Sequence, residues 1–229
     1  MKYTHVLLDF DRTLNDSDLV FRKNLDGFLD LAGDEVLPRW EELHREVLTS
    51  EPKDRHDDLD FHLKILVERL AATSVEAAKD ELKARIKAAQ RECWYATELF
   101  GEAIPFLSLL QEAGYVLHMA TGDYARLKSV HLQRQAGRYY FDGMYDELVL
   151  GVGKGTSAYF DRIVERLDAP AETVVIIGDN LKNDISSGNE AGISTVWVRR
   201  KNEKNENGVK PGLTVTSLME ALPHFNGSV

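Results

Sequence analysis

Apolar residues along this chain keep two different rhythms. Residues 6–8, 115–120, 148–150, 173–177 and 194–198 are short apolar-rich runs, the pattern of strands buried on both faces. From 15 to 99 the rhythm changes to one apolar residue every three or four positions, which marks one face of a helix. Residues 16–32 read as a first helix, with Leu19, Leu25, Phe28, Leu29 and Leu31 available to pack, and 34–49 as a second, with Leu37, Trp40, Leu43 and Val47. Phe61, Ile65 and Leu66 suggest a third. The fourth begins after Ser74, a candidate N-cap, and carries Val75, Ala78, Leu82, Ile86, Ala89 and Cys93 on one face. The polar tract 51–58 contains Pro52 and reads as a loop.

Past residue 100 the strand runs alternate with helices. One carries Ile104, Leu107 and Leu110 and ends at Gly114; another runs to about Ala136. A third carries Phe160, Ile163, Val164 and Leu167, and a fourth leads to Gly192. Residues 201–207 read as a charged loop and 217–222 as a terminal helix. This alternation predicts an α/β fold with a doubly wound parallel sheet, a Rossmann-like core. The core would comprise residues 1–14 and 100–229. An all-α unit, 15–99, would be inserted after the first strand.

The chemistry gathers where the strand runs end. Asp9 and Asp11 follow the first run, Thr121 and Gly122 the second, Lys154 the third, and Asp179 the fourth, with Asp184 five residues on. Each alone has a purely structural explanation, since Asp is common in turns and Thr is a good N-cap. In a parallel sheet, however, the C-terminal strand ends share one edge, and ligands bind there. Asp9, Asp11 and Asp179 would make a hard, oxygen-rich cluster suited to Mg²⁺, which would also keep the carboxylates ionised beside a phosphate. A carboxylate can attack phosphorus, and a second can move the protons. Thr121 and Lys154 would hold the phosphoryl oxygens.

Composition narrows the setting. The chain has 229 residues, 43% of them hydrophobic and 29% charged, an ordinary globular balance. A net charge of −10 gives little general attraction to a nucleic acid polymer or an anionic membrane. No apolar run approaches ~18 residues, so no membrane span is expected. A single cysteine, Cys93, excludes an internal disulfide and a Cys-rich metal site. The first residues lack an apolar signal segment, and a cytoplasmic location is expected.

In motif order the sequence resembles the haloacid dehalogenase-like superfamily of hydrolases. Asp9-Phe10-Asp11-Arg12-Thr13 matches its Asp-x-Asp-x-Thr motif, 117–121 its apolar run ending in Ser or Thr, Lys154 its motif lysine, and Gly178-Asp179 with Asp184 its last motif. The helical unit falls where the family places a cap. The resemblance implies a phosphatase acting on a small phosphorylated substrate through an aspartyl-phosphate. Asp9 would be the nucleophile and Asp11 the general acid/base. Asp9, Asp179 and the Asp11 backbone carbonyl would hold Mg²⁺, Thr121, Gly122 and Lys154 would bind phosphate, and Thr13 and Asp184 would support them. Family dehalogenases lack an acid at the Asp11 position, so Asp11 favours phosphate esters. A phosphomutase or phosphotransferase of the same fold remains open, as does a catalytically silent binding protein.

Two positions depart from the family pattern: Arg12 stands where Gly is common, and Gly155 where Pro is common. Gly151–Thr156 looks superficially like a phosphate loop but lacks the Ser or Thr directly after Gly-Lys. His44, His56, Asp57, Asp60 and His62 lack the spacing of a helical metal site, and a polar loop is the expectation. His118 and Cys93 are expected to be packed, and core packing is also the default for Trp40, Trp94 and Tyr95. The segment Ser194-Thr195-Val196-Trp197 has a weak likeness to nucleotide and acylneuraminate phosphatases that assigns no substrate.

Overall fold

A computed structural model describes residues 3–49, 58–70, 72–201, 205 and 208–225. Its strands are β1 (His5–Leu8), β2 (Val116–Ala120), β3 (Phe141–Tyr145), β4 (Val174–Gly178), β5 (Ser194–Val198) and β6 (Leu213–Val215). They form one parallel sheet in the order β3-β2-β1-β4-β5-β6. β1 is central, with Leu8 beside Met119 of β2 and Ile177 of β4. That position explains its unbroken apolar run, because both its faces are covered.

The chain divides into two compact units, residues 1–16 with 94–229, and residues 17–93. In the first unit the helices are α5 (Ala103–Glu112), α6 (Ala125–Ala136), α7 (Glu147–Leu150), α8 (Ser157–Leu167), α9 (Ser187–Glu190) and α10 (Leu222–Phe225). Alternate residues of β1 face opposite cores. Val6 and Leu8 pack with Phe106, Leu107 and Leu110 of α5 and Leu132 of α6. Leu7 packs with Tyr159, Phe160 and Ile163 of α8.

The second unit is helical: α1 (Ser17–Leu25), α2 (Gly33–Thr49), α3 (Leu59–Arg69) and α4 (Val75–Trp94). Its core joins Leu25, Phe28, Val36, Leu37, Leu43, Leu63, Leu66, Leu82 and Ile86. Asp58 caps α3, its Oδ1 accepting from Phe61 N at 3.0 Å. The other residues of the expected polar loop, 51–57, lie outside the described residues, as do 202–204, 206 and 207 of the expected charged loop. No helix among the described residues is long and apolar enough to cross a membrane.

Two expectations are corrected, and two edge strands lie outside the predicted runs. The first helix stops at Leu25, not Ala32. Gly27 adopts φ +76°, Leu29 +51° and Asp30 +61°, and Gly27 N bonds to Leu31 O in a tight turn. Residues 148–150 are not a strand. Asp146 caps a helical turn there by accepting from Val149 N at 2.8 Å, and Gly151 ends it at φ +69°. Leu148 is 92% exposed while Leu150 is buried, so the triplet is not buried along its length as a central strand would be. The strand in this region is β3, an edge whose Asp142 and Gly143 hide it from an apolar scan. β6, the opposite edge, is only three residues long, Leu213–Val215, too short for an apolar run to stand out.

Candidate active site

After Leu8 the ladder stops and the chain turns. Phe10 O accepts from Leu14 N and Asn15 N, each at 2.9 Å, and Arg12 N donates to Asn15 O at 2.8 Å. This turn puts Arg12 at φ +58°. Left-handed backbone costs a non-glycine residue roughly 1–2 kcal/mol. The departure at Arg12 therefore has a backbone meaning: the position favours Gly, and this chain keeps Arg under strain. Arg200 holds the turn by donating to Arg12 O at 3.3 Å and Thr13 O at 2.8 Å. It also pairs with Glu102 at 2.6 Å and lies 3.8 Å from the Phe100 ring centre.

Asp9 is buried just past β1. Its backbone N donates to Ile177 O at 2.9 Å, and its Oδ2 accepts from Thr13 Oγ1 at 3.2 Å. Its Oδ1 meets the Lys154 ammonium. The same ammonium lies 2.7 Å from Asp184 Oδ1, as a charge contact without good hydrogen-bond alignment. Asp184 Oδ2 accepts from Asn180 N at 2.9 Å. Gly178 makes room for this carboxylate: a Cβ there would stand 2.3 Å from Asp184 Cγ. Lys154 is in the loop before α8, not at a strand end or helix start, and its backbone N is fixed by Glu147 Oε1 at 2.9 Å. Gly155 packs close to Asn183, whose Oδ1 would lie 3.0 Å from an added Cβ.

Oxygens of Asp9, Asp179 and Asp184 lie within 4.8 Å of one another. Burial, then the charges of Asp9 and Asp184, raise the Asp179 pKa well above the usual carboxylate value, with Arg12 and Lys154 opposing. Burial lifts Asp184 to about 6, opposed first by Lys154. Burial would pull the Lys154 pKa down, but Asp184 and Asp9 outweigh it and hold the ammonium charged. Three carboxylates around one ammonium form a cluster still deficient in positive charge. Its hard oxygen donors fit a divalent cation such as Mg²⁺.

A second group of contacts lies around Thr121, just past β2. Thr121 Oγ1 accepts from Lys128 Nζ at 3.1 Å, and Thr121 O accepts from Tyr159 OH at 2.8 Å. Gly122 O accepts from Glu147 N at 3.1 Å. Lys128, on α6, is 1% exposed and also reaches Asp11 Oδ2 at 2.8 Å and Asp123 Oδ1 at 2.5 Å. Burial raises the Asp11 pKa, and Lys128 opposes it. Among the predicted residues, then, Asp9, Thr13, Lys154, Asp179 and Asp184 share one cluster. The carboxylate of Asp11 turns to Lys128 beside Thr121, and Asp184 takes its place among the clustered carboxylates. Lys128 and Asp123 escaped sequence reading. The only signal for Lys128 is its place on the helix after Thr121.

The weaker signals resolve structurally. His118 is buried and its Nε2 lies 3.1 Å from His5 Nδ1; burial, then His5, lowers its pKa to about 4. His44 Nδ1 and His62 Nδ1 are 3.0 Å apart, with Trp40 stacked on His44, and Asp60 pairs with Lys83. His56 and Asp57 lie outside the described residues. Trp94 donates from Nε1 to Asp123 Oδ2 at 3.0 Å and its ring lies 4.2 Å from that of Tyr124.

Comparison with known proteins places this geometry. The family model described as haloacid dehalogenase-like hydrolase matches residues 3–192. A glyceraldehyde 3-phosphate phosphatase of Methanopyrus kandleri is 30% identical over 199 residues, 85% of this chain and 83% of that protein. The pyrimidine 5′-nucleotidase YjjG of Escherichia coli is 33% identical over 101 residues, and there the match spans 44% of this chain and only 45% of the nucleotidase. In fold, the chain is similar to the magnesium-bound putative HAD-hydrolase YfnB of Bacillus subtilis, with a TM-score of 0.76 at 20% identity over the whole of both chains. It is also similar to the L-2-haloacid dehalogenase of Xanthobacter autotrophicus, with a TM-score of 0.69 at 14% identity over 99% of this chain and 100% of that one. With its motifs in register on this sheet edge, the chain belongs to the haloacid dehalogenase-like hydrolases.

Proposed function

We propose that this hydrolase is a Mg²⁺-dependent phosphatase that cleaves a small phosphorylated metabolite through a phosphoryl group carried on Asp9. The observation that carries the reading is the meeting of Asp9, Lys154, Asp179 and Asp184, from three separate segments, in one buried charged cluster. Asp11 and Thr121 stand beside it, joined through Lys128.

In the first half-reaction an Asp9 carboxylate oxygen bonds to phosphorus and the ester P–O bond breaks. The departing oxygen takes its proton from Asp11. In the second half, Asp11 takes a proton from water as the water oxygen bonds to phosphorus. The P–O bond to Asp9 then breaks, releasing phosphate and restoring the carboxylate. Lys154 and Thr121 hold the phosphoryl oxygens through both halves and offset their charge. Thr13 and Lys154 keep the Asp9 carboxylate oriented. Mg²⁺, when bound by Asp9, Asp179 and the Asp11 backbone carbonyl, would neutralise charge between the carboxylates and the phosphate. Residues 15–99 would act as a cap that selects the leaving group and limits water.

The relatives that cleave phosphate esters support this substrate class, and Asp11 supplies the acid that an ester leaving group needs. A panel of sugar phosphates, nucleoside monophosphates and phosphoacids, assayed for phosphate release with and without Mg²⁺, tests it. Mg²⁺-dependent release from at least one class is expected. Release that persists undiminished in a chelator, or none from any class, would overturn it.

A further inference from the structure

Lys128 is a buried cation in an unfavourable place. It sits in the first turn of α6, where the helix dipole disfavours positive charge, and it is 1% exposed. An ammonium has three N–H donors. Here they face three acceptors: Asp11 Oδ2 at 2.8 Å, Asp123 Oδ1 at 2.5 Å and Thr121 Oγ1 at 3.1 Å. The Phe10 ring centre lies 5.3 Å from the nitrogen. Asp123 is itself anchored by the Trp94 indole, which donates to its other oxygen at 3.0 Å. The ammonium is thus held from its own side by Asp123, and it holds Asp11 in turn.

The two oxygens of Asp11 are unequal. Oδ2 accepts from Lys128, whereas Oδ1 is shut off from solvent and has no hydrogen-bond partner, so the 39% exposure of this side chain falls away from Oδ1. A carboxyl without partners turns freely about its Cβ–Cγ bond, and a grip on one oxygen fixes the direction of the other. We propose that Lys128 is a positioning residue: by gripping Oδ2 it holds the Asp11 carboxyl in the one orientation from which its open side exchanges the proton with the leaving group and then with water. In the first half-reaction the O–H bond of the Asp11 carboxyl breaks, its proton joins the departing ester oxygen, and the electron pair stays on the carboxylate. In the second, the carboxylate takes a proton from the attacking water. This rests on the assignment of Asp11 as general acid/base made above.

The test is a leaving-group comparison on the full chain with Mg²⁺. An alkyl phosphate needs a proton for its leaving oxygen, whereas p-nitrophenyl phosphate does not. The parameter kcat/KM reports the steps through ester cleavage, so it is read for both substrates in wild type, Lys128→Met and Asp11→Asn. General acid catalysis is worth about 10²–10⁴-fold, so Lys128→Met should lose about 100-fold or more on the alkyl ester and less than about tenfold on the aryl ester. Asp11→Asn should show the same imbalance. Should Lys128→Met fail to fold, Lys128→Gln is read the same way, with a smaller imbalance in the same direction. Equal losses on the two substrates, or no loss, would overturn the positioning role while leaving the phosphatase reading intact. A wild type that cleaves neither ester would overturn both.

Discussion

The acidic cluster predicts how stability responds to pH and metal. Asp184 stands at about 6 in the fold against an ordinary value of 3.8, because burial outweighs the help of Lys154. The folded state therefore holds this proton to higher pH than the unfolded chain does. Below pH about 4 the carboxyl is protonated in both states and costs nothing. As pH rises to about 6 the penalty develops, and above that it is complete, at about 3 kcal/mol. Asp179 and Asp11 are shifted in the same direction, so they add to the loss. A cation held by Asp9 and Asp179 beside Asp184 favours the ionised forms, and its stabilising effect should grow as pH rises. The assay is thermal unfolding of chelator-treated protein, with and without millimolar Mg²⁺, at pH about 5 and about 7.5. About half of that penalty develops between the two pH values, so with a shift of ~2–4 °C per kcal/mol for a chain of this size Mg²⁺ should raise Tm by roughly 3–6 °C more at the higher pH. Asp184→Asn should remove much of that difference. A Mg²⁺ shift of the same size at both pH values, or larger at the lower one, would refute the reasoning.

Three substitutions probe the supports of the site. Gly178→Ala should expel the Asp184 carboxylate, whose Cγ would lie 2.3 Å from the new methyl, and so break its contact with Lys154. Breaking a buried ion pair costs about 3–5 kcal/mol, and a urea titration showing less than about 1 kcal/mol would contradict this. Arg12→Gly should keep stability within about 1 kcal/mol of wild type, whereas Arg12→Val, a β-branched residue at φ +58°, should lose about 2 kcal/mol. The reverse order in chemical denaturation would exclude backbone strain there. Leu148→Asp should change stability by less than about 0.5 kcal/mol, because Leu148 is 92% exposed; a large loss would mean that Leu148 is buried after all.

The central strands were legible because burial on both faces forces an apolar run, as in Val6-Leu7-Leu8 and Val174–Ile177. Asp9, Thr121 and Asp179 were legible because each follows such a run, and a parallel sheet sends those ends to one edge. The edges were not. β3 carries Gly143, where a Cβ would meet His118 Nδ1 at 2.6 Å, so close packing replaced an apolar residue with Gly. Residues 148–150 misled in the other direction, because their helical turn is set by Asp146 and Gly151 and not by apolar content. Lys128 was illegible for a different reason. Its role comes from contacts with Asp11, 117 positions away, and with Asp123 and Thr121, and no local spacing encodes the first of these.

The claim that everything else depends on is that Asp9 carries the phosphoryl group. Wild-type protein turning over a phosphate ester with Mg²⁺ is quenched in acid, digested, and its peptides are weighed. The account predicts one phosphoryl adduct on the peptide bearing Asp9, located at Asp9 itself and absent from the Asp9→Asn variant, which should release no phosphate. An adduct on another residue, or sustained phosphate release by Asp9→Asn, would contradict it.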